Sequence, residues 1–185
     1  KLIEKTQFDT IYHEHYSYLS LYTVKRIFEV YGLKIYKVQE LETHGGSLRI
    51  FGCHQEDKRK IDISVETIIR KEIEFGILKI DTYQGFQDKV DKIKYDLLEF
   101  LITQKRAGKK VVAYGAAAKG NTLLNYAGIR TDLIPFVVDK NPFKQGKFMP
   151  GSRIPIVHPN GIERENLNFF LILPWNILPE IKKQI

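Results

Sequence analysis

The sequence predicts an α/β protein whose C-terminal part is a Rossmann-like domain with a parallel sheet. From Lys109 onward, short apolar segments alternate with a helical segment, an order typical of parallel sheets. A glycine-containing turn separates the first of these strands from the helix that follows it. Before this region we expect a helix and a β-hairpin in residues 1–54 and a helical linker in residues 55–108. The Rossmann-like domain is expected to occupy residues 109–185.

The composition indicates a globular protein with one or two domains. The chain has 185 residues, of which 43% are hydrophobic and 28% are charged. No segment reaches the roughly 18 consecutive apolar residues that a membrane span needs, so no membrane partner is expected. Cys53 is the single cysteine, which excludes a disulfide within this chain and fits a reducing cytoplasm. The chain opens on Lys1 rather than methionine, and we therefore expect it to be part of a larger protein.

The net charge of +7 indicates a lysine-rich surface or an anionic ligand. Nucleic acid is one alternative, but the lysines are scattered rather than gathered in one run. We therefore expect no nucleic-acid partner.

The elements of the first part follow from hydrophobic periodicity. Ser20 is a suitable cap for a helix that extends to about Tyr31. The apolar face of this helix is expected to consist of Leu21, Val24, Ile27, Phe28 and Tyr31. Alternating residues in 33–40 and 47–54 predict two strands, and Gly45-Gly46 in the connection predicts a β-hairpin.

Two helices are expected in the linker. The first has an apolar face over residues 65–73 and ends at Gly76. Asp81 and Gln84 have the spacing of a capping box and predict the start of the second helix. The second helix is expected to end at Gly108, and its long apolar stripe is interpreted as structural packing.

The turn from Gly115 to Gly120, which follows a strand expected at residues 110–114, is a candidate phosphate site. A helix expected to begin at Asn121 would direct backbone N–H groups and the positive end of its dipole toward an anion. Lys119 would add a positive charge there. The dinucleotide fingerprint needs glycine where Ala117 stands, and the P-loop needs lysine where Asn121 stands, so neither motif is complete. The alternatives are a purely structural turn and a solvated lysine.

A second basic segment follows a strand expected at residues 133–139, and further strands are expected at 154–157 and 169–173. In open α/β sheets ligands bind at the carboxyl ends of strands, where this segment begins. Asp139 stands at a suitable distance along the sequence to bind a ribose hydroxyl. The cations expected to neutralise a diphosphate are Lys140, Lys144, Lys147 and Arg153. The alternative is an exposed charged loop without a ligand.

The segment Tyr12-His13-Glu14-His15 is a candidate catalytic loop. Histidine titrates near neutral pH, so a positioned imidazole is an efficient general base. In an extended chain Tyr12 and Glu14 would share one face, whereas in a helical turn Tyr12 and His15 would converge. The alternatives are a metal site that uses His13 and His15, a polar surface loop and a structural aromatic cluster. We expect no metal.

Several motifs, in order along the chain, resemble the C-methyltransferases that act on nucleotide-linked deoxyketosugars. The matching segments are Tyr12–Tyr18, His44–Arg49, Tyr114–Tyr126, Asp139–Pro142 and Pro150–Ile156. Ala117 departs from the family pattern, because many relatives are expected to have proline there. The resemblance extends over nearly the whole chain.

The resemblance implies that the complete protein transfers a methyl group from S-adenosylmethionine to a nucleotide-diphosphate ketosugar. Residues 1–54 would then be the end of a methyltransferase domain, and the cofactor would be bound mostly by a part outside this chain. The chain alone is expected to be inactive. The implied base is His15, with Tyr12 and Glu14 orienting it or relaying protons. The expected substrate-binding residues are Gly115, Lys119, Gly120, Asn121, Lys140 and Arg153.

Two other functions stay open at this point. One is a non-catalytic module that binds a nucleotide sugar, and the other is an NAD-binding Rossmann-like module. Asp139 favours the NAD-binding module and Ala117 disfavours it. A nucleic-acid-binding domain fits the sequence least.

Overall fold

The computed structural model describes residues 1–161 and 167–183. The chain divides into two compact units. The first unit comprises Lys1 and Tyr16–Phe86, and the second unit comprises Leu2–His15 and Gln87–Ile185. The N-terminal segment therefore packs with the C-terminal part of the chain. The assignment of residues 1–54 and 55–108 to a methyltransferase domain and a linker stays a prediction.

The first unit is a β-hairpin packed with helices. Its elements are helix α1 (Leu21–Val30), strands β1 (Leu33–Leu41) and β2 (Ser47–His54), helix α2 (Ile63–Phe75) and the short helix α3 (Asp81–Gln84). β1 and β2 pair in antiparallel register, as the sequence predicts. Leu21, Ile35, Val38, Val65 and Ile68 form the buried core.

Helix α1 begins where the sequence predicts. The Ser20 hydroxyl accepts a hydrogen bond from Thr23 N at 3.1 Å. The Glu72 carboxylate of α2 accepts from the first two backbone N–H groups of α1 at 2.8 and 2.9 Å, where the helix dipole favours a negative charge. Two residues of the predicted apolar face do not face the core, because Ile27 and Tyr31 are exposed. Val24 and Phe28, by contrast, pack against the buried core of this unit.

The expected capping box at Asp81 is wrong. Asp81 is the first residue of α3, and the cap position is held by Ile80, whose side chain makes no capping bond. Gly85 ends this single turn, and a separate helix, α4, spans Phe86–Arg106. The stripe predicted for structural packing contributes Val90 and Leu101, which are buried.

The second unit contains a four-stranded parallel sheet, so the predicted α/β fold with a parallel sheet is confirmed. Its elements after α4 are β3 (Val111–Tyr114), α5 (Ala118–Ala127), β4 (Val137–Val138), β5 (Ile156–Val157), β6 (Phe169–Ile172) and α6 (Leu178–Lys182). The strand order is β5-β4-β3-β6. Within the described part, all three strand pairs are parallel, which places the carboxyl ends of the strands at one edge.

Several boundaries in this unit differ from expectation, and β5 begins at Ile156 rather than at residue 154. Helix α5 begins at Ala118 rather than Asn121, so Lys119 and Gly120 lie in its first turn. Strand β4 is limited to Val137–Val138, because residues 131–133 form a turn and residues 134–136 are irregular. At this turn Ile134 N donates to Arg130 O at 3.0 Å.

Gly120 allows α5 to approach the sheet closely. A Cβ atom at this position would lie 2.5 Å from the Leu173 Cβ atom, immediately after β6. The third glycine of dinucleotide-binding turns has the same role of close helix–strand packing. Gly85 is the opposite case, because its φ is −82° and a Cβ there would meet nothing within 4 Å.

We predict that Gly120→Ala lowers the free energy of unfolding by about 1–3 kcal/mol, because the methyl group overpacks the contact with Leu173. The matched control Gly85→Ala should be neutral or stabilise the protein by about 0.4–1 kcal/mol, since it only restricts the unfolded chain. Urea unfolding measures both values. Equal stability of the two variants would contradict the close packing of α5.

Candidate functional site

The candidate catalytic loop is a hydrogen-bonded turn. His15 N donates to Tyr12 O at 2.9 Å, and the two rings lie 4.3 Å apart between centroids. Of the two arrangements left open by the sequence, the structure therefore has the one in which Tyr12 and His15 converge. Glu14 is exposed, and its carboxylate lies 3.9 Å from His13 Nε2.

The His15 ring is held by a backbone carbonyl. Its Nδ1 atom lies 2.8 Å from Thr10 O. Because a carbonyl oxygen only accepts hydrogen bonds, Nδ1 must carry the proton in this contact. In neutral imidazole the lone pair is then on Nε2, which is the nitrogen suited to accept a proton.

The loop is attached to helix α5 of the same unit. The residues before it form a buried 3₁₀ turn, Phe8–Thr10. The Phe8 ring packs against Tyr126 with centroids 5.2 Å apart, and Thr122 Oγ1 donates to Ile11 O at 3.2 Å. These contacts place the candidate base in the unit that also carries the glycine turn.

A buried polar cluster joins the loop to the carboxyl edge of the sheet. The indole N–H of Trp175, three residues after β6, donates to Asp9 Oδ2 at 2.5 Å. Lys119 Nζ lies 4.7 Å from the Trp175 ring centroid and donates to Asn176 Oδ1 at 3.1 Å. Asp9 and Lys119 are only 7% and 5% exposed. The alternative of a solvated Lys119 is therefore wrong.

Burial shifts both charged groups of the cluster toward neutrality. Desolvation raises the pKa of Asp9, and the hydrogen bond from Trp175 and the charge of Lys119 oppose this shift. Desolvation lowers the pKa of Lys119, against the favourable charge of Asp9. Each group thus stabilises the charge of the other in a site that disfavours both charges.

The glycine turn is closed by groups of the chain itself. Gly115 has a φ of +85°, and a Cβ there would lie 2.6 Å from Pro174 side-chain atoms. Ala116 N donates to Asp139 Oδ2 at 2.7 Å, and Asn141 N donates to Asp139 Oδ1 at 2.8 Å. The carboxylate that the sequence suggests for a ribose hydroxyl therefore accepts two backbone hydrogen bonds that shape the turn.

Asn121 and Lys144 also take part in this corner of the unit. The Asn121 side-chain oxygen accepts from Asn125 Nδ2 at 3.2 Å. Lys144 Nζ donates to Ala116 O at 2.8 Å and lies 3.7 Å from the Asp139 carboxylate. The basic segment is thus attached to the glycine turn through Lys144.

Lys140 and Phe143 are exposed beside this attachment. Phe143 is 80% exposed, and its backbone N–H donates to Asn141 Oδ1 at 3.0 Å. Lys140 directly follows Asp139. An exposed ring and an exposed cation therefore lie on the segment that leaves the carboxyl end of β4.

The structure does not bring Arg153 together with the other expected substrate-binding residues. Residues 146–149 run antiparallel to residues 154–156, so the turn that contains Arg153 lies at the amino end of β5. Asn125 Nδ2 donates to Pro150 O in this turn at 2.9 Å. Asn125 is seven residues into α5, about 10 Å along the helix from its first residue.

Four residues of the site have no clear signal in the sequence. Asp9, Thr10, Trp175 and Asn176 come from opposite ends of the chain, and no spacing rule relates them. Trp175 is the only tryptophan, which singles it out but does not identify its partner.

Among the described residues, no group of three or more histidine, cysteine, aspartate or glutamate side chains is arranged to hold a metal ion. No helix of residues 1–161 and 167–183 is long and apolar enough to cross a membrane.

A parallel α/β unit that carries both a glycine turn and a histidine loop is a suitable framework for an enzyme domain. The sequence profile of the C-methyltransferase C-terminal domain matches residues 42–185. The chain belongs to this C-methyltransferase family, so the resemblance seen in its motifs is confirmed.

One curated relative is the C-methyltransferase NovU of Streptomyces niveus. The two sequences are 36% identical over 181 residues, which are 98% of this chain and 43% of NovU. The chain therefore spans less than half of the length of this relative.

We predict that Asp9 makes the protein less stable as the pH rises through the acid range. Its pKa is raised in the folded state, so the unfolded state loses its proton first and unfolding becomes more favourable with increasing pH. The free energy of unfolding begins to fall near the pKa that Asp9 has in the unfolded chain. The decrease is complete above the pKa that Asp9 has in the folded protein. Asp9→Asn does not titrate at this position and serves as the reference.

Urea unfolding of both proteins between about pH 3.5 and pH 7 measures this effect. The free energy of unfolding of the wild type, minus that of Asp9→Asn, should decrease as the pH rises. An increasing difference would show that the pKa of Asp9 is lowered rather than raised.

Proposed function

We propose that the complete protein is an S-adenosylmethionine-dependent C-methyltransferase acting on a nucleotide-linked ketosugar. This chain would supply the catalytic base and the binding site for the sugar nucleotide. The family membership supports the reaction class. The observation that carries the proposal is the Nδ1 contact of His15 with Thr10 O, in the same unit as the glycine turn.

The proposed chemical step of this chain is proton abstraction next to the sugar ketone. His15 Nε2 has the lone pair and accepts the proton, which leaves an enolate on the sugar. Tyr12, whose ring lies against the His15 ring, is suited to orient the imidazole or to donate a hydrogen bond to the enolate oxygen. Glu14 lies closer to His13 in the observed turn, so its proposed role is proton relay through solvent.

S-adenosylmethionine would supply the electrophilic methyl group that the enolate attacks. The described residues offer no site that we assign to this molecule, because Asp139 occupies the Ala116 N–H of the glycine turn. We therefore expect the methyl donor to be bound mainly outside this chain. For the same reason we expect the chain alone not to transfer methyl groups.

We infer that the second unit is Rossmann-like and binds the nucleotide part of the substrate at the carboxyl edge of its sheet. The order β5-β4-β3-β6 corresponds to the 3-2-1-4 order of dinucleotide-binding folds. Helix α5 directs its N-terminus to this edge, and Ala117 has no polar side chain to cap it. Lys140 offers a charge for a phosphate, and Phe143 offers a ring face for a base.

The other expected substrate-binding residues have different proposed roles, and not all of them would contact the nucleotide. Gly115 and Gly120 shape the turn, and Asn121 lies in the first turns of α5. Lys119 is buried, so its proposed contribution is a positive potential behind the turn rather than a direct contact. Arg153 lies apart, and we propose no phosphate contact for it. A cytoplasmic location belongs to the proposal as well.

We predict that His15→Asn lowers kcat of the complete enzyme by on the order of 10²- to 10⁴-fold, because the general base is lost. The control His13→Asn should retain kcat, since His13 is exposed and its ring centroid is 6.2 Å from that of Tyr12, against 4.3 Å for His15.

Lys140→Gln should raise KM for the sugar nucleotide while kcat is retained. Methyl transfer from labelled S-adenosylmethionine to a nucleotide ketosugar measures all three effects.

Undiminished turnover of His15→Asn would contradict the assignment of the base. If sugar nucleotide binds this chain but the complete protein transfers no methyl group, the non-catalytic binding module is the better account. Tight binding of NAD with no binding of sugar nucleotide would favour the NAD-binding module.

A further inference from the structure

The buried pair of Asp9 and Trp175 has no part in the chemistry proposed above. Its hydrogen bond of 2.5 Å joins a carboxylate that is 7% exposed to the indole N–H. Burial of a carboxylate is costly even when it is paired, and an apolar pair of similar volume is often as stable or more stable. A role beyond simple attachment would explain a buried hydrogen-bond acceptor at this position.

The Thr10 carbonyl, which follows Asp9 in the chain, connects the Asp9–Trp175 pair to the His15 ring. Asp9 and Thr10 are consecutive residues of the buried 3₁₀ turn. Thr10 Oγ1 donates to Gln7 O at 2.7 Å, and Thr10 O accepts from His15 Nδ1 at 2.8 Å. Fixing the Asp9 side chain therefore fixes the peptide unit next to the carbonyl that holds the imidazole.

We propose that Asp9 and Trp175 are positioning residues for His15, which act through the Thr10 carbonyl to keep the imidazole in its Nδ1–H tautomer. Neither residue touches the reacting atoms in this account. The functional meaning of the tautomer rests on the proposed function, in which His15 Nε2 is the base. The tautomer itself is a property of the folded chain and can be measured without substrate.

The tautomer matters because neutral imidazole has one protonated and one basic nitrogen. If the proton moved to Nε2, that atom could not accept a proton from the sugar, and Nδ1 would face the Thr10 carbonyl with its lone pair. A fixed carbonyl oxygen near Nδ1 disfavours this state. A carbonyl that moves with a loosened turn no longer selects between the two tautomers.

The other contacts of the turn allow this role to be separated from folding. Phe8 packs against Tyr126, and Ile11 O accepts from Thr122 Oγ1, so the segment stays attached when Asp9 is changed. Tyr126 OH also donates to Asp91 Oδ1 at 2.5 Å, another hydrogen bond to a carboxylate in the same unit. Tyr126→Phe removes that bond, retains the ring, and is a matched control.

The test is a long-range ¹H–¹⁵N correlation spectrum of the His15 ring in the intact chain, recorded above the pH at which the imidazole titrates. The wild type should show the Nδ1–H tautomer. Trp175→Phe and Asp9→Ala should shift the ring to a tautomer mixture with substantial Nε2–H. Asp9→Asn should retain the Nδ1–H form, because its amide oxygen still accepts from the indole, and Tyr126→Phe should match the wild type.

An Nε2–H tautomer in the wild type would overturn the proposal, as would an unchanged tautomer in folded Trp175→Phe. Trp175→Phe decides the outcome if Asp9→Ala fails to fold, because phenylalanine fills most of the indole volume.

In the complete enzyme, Trp175→Phe should lower kcat on the order of 10- to 100-fold with little change in KM. If His15→Asn retains turnover while the tautomer shifts are seen, the proposed function fails and the positioning contact stands.

Discussion

The hydrogen bond between the Trp175 indole and the Asp9 carboxylate is the contact on which the candidate site depends. It joins residues 166 positions apart and connects the N-terminal segment to the end of the parallel sheet. The charge of Asp9 is compensated by Lys119, which comes from the first turn of α5. One buried cluster thus ties the histidine loop, the helix after the glycine turn and the segment after β6 into one unit. Without it, the contacts of Phe8 and Ile11 with α5 would still attach the segment, but the Asp9 side chain and the Thr10 peptide beside it would no longer be fixed.

The glycine turn, which we propose as part of a binding site, is also a structural corner. Pro174 packs where a Gly115 side chain would be, and the Asp139 carboxylate accepts the Ala116 N–H. This explains why the turn lacks the second glycine of dinucleotide-binding motifs, since a carboxylate of the chain already occupies part of the corner. Contacts to a nucleotide are therefore expected from the exposed Lys140 and Phe143 on the adjoining segment.

The sequence predicted the elements with local signals and missed what depends on distant partners. The cap at Ser20 and the Gly45-Gly46 connection are local, and α1 and the hairpin are found where expected. The start of α5 was misplaced because alanines give no cap signal. Lys119 could not be predicted as buried, because its partner Asp9 is far away in sequence. The convergence of Tyr12 and His15 was one of two alternatives, and only the fold selects between them.

The most direct test of the central contact is hydrogen exchange of the Trp175 indole N–H, measured by NMR on the intact chain. Because Trp175 is the only tryptophan, its indole signal needs no further assignment. A hydrogen bond to a buried carboxylate should slow its exchange to the rate at which the second unit opens. Exchange as fast as that of a solvent-exposed indole would contradict the account, because the Asp9 carboxylate would then not accept a hydrogen bond from Trp175.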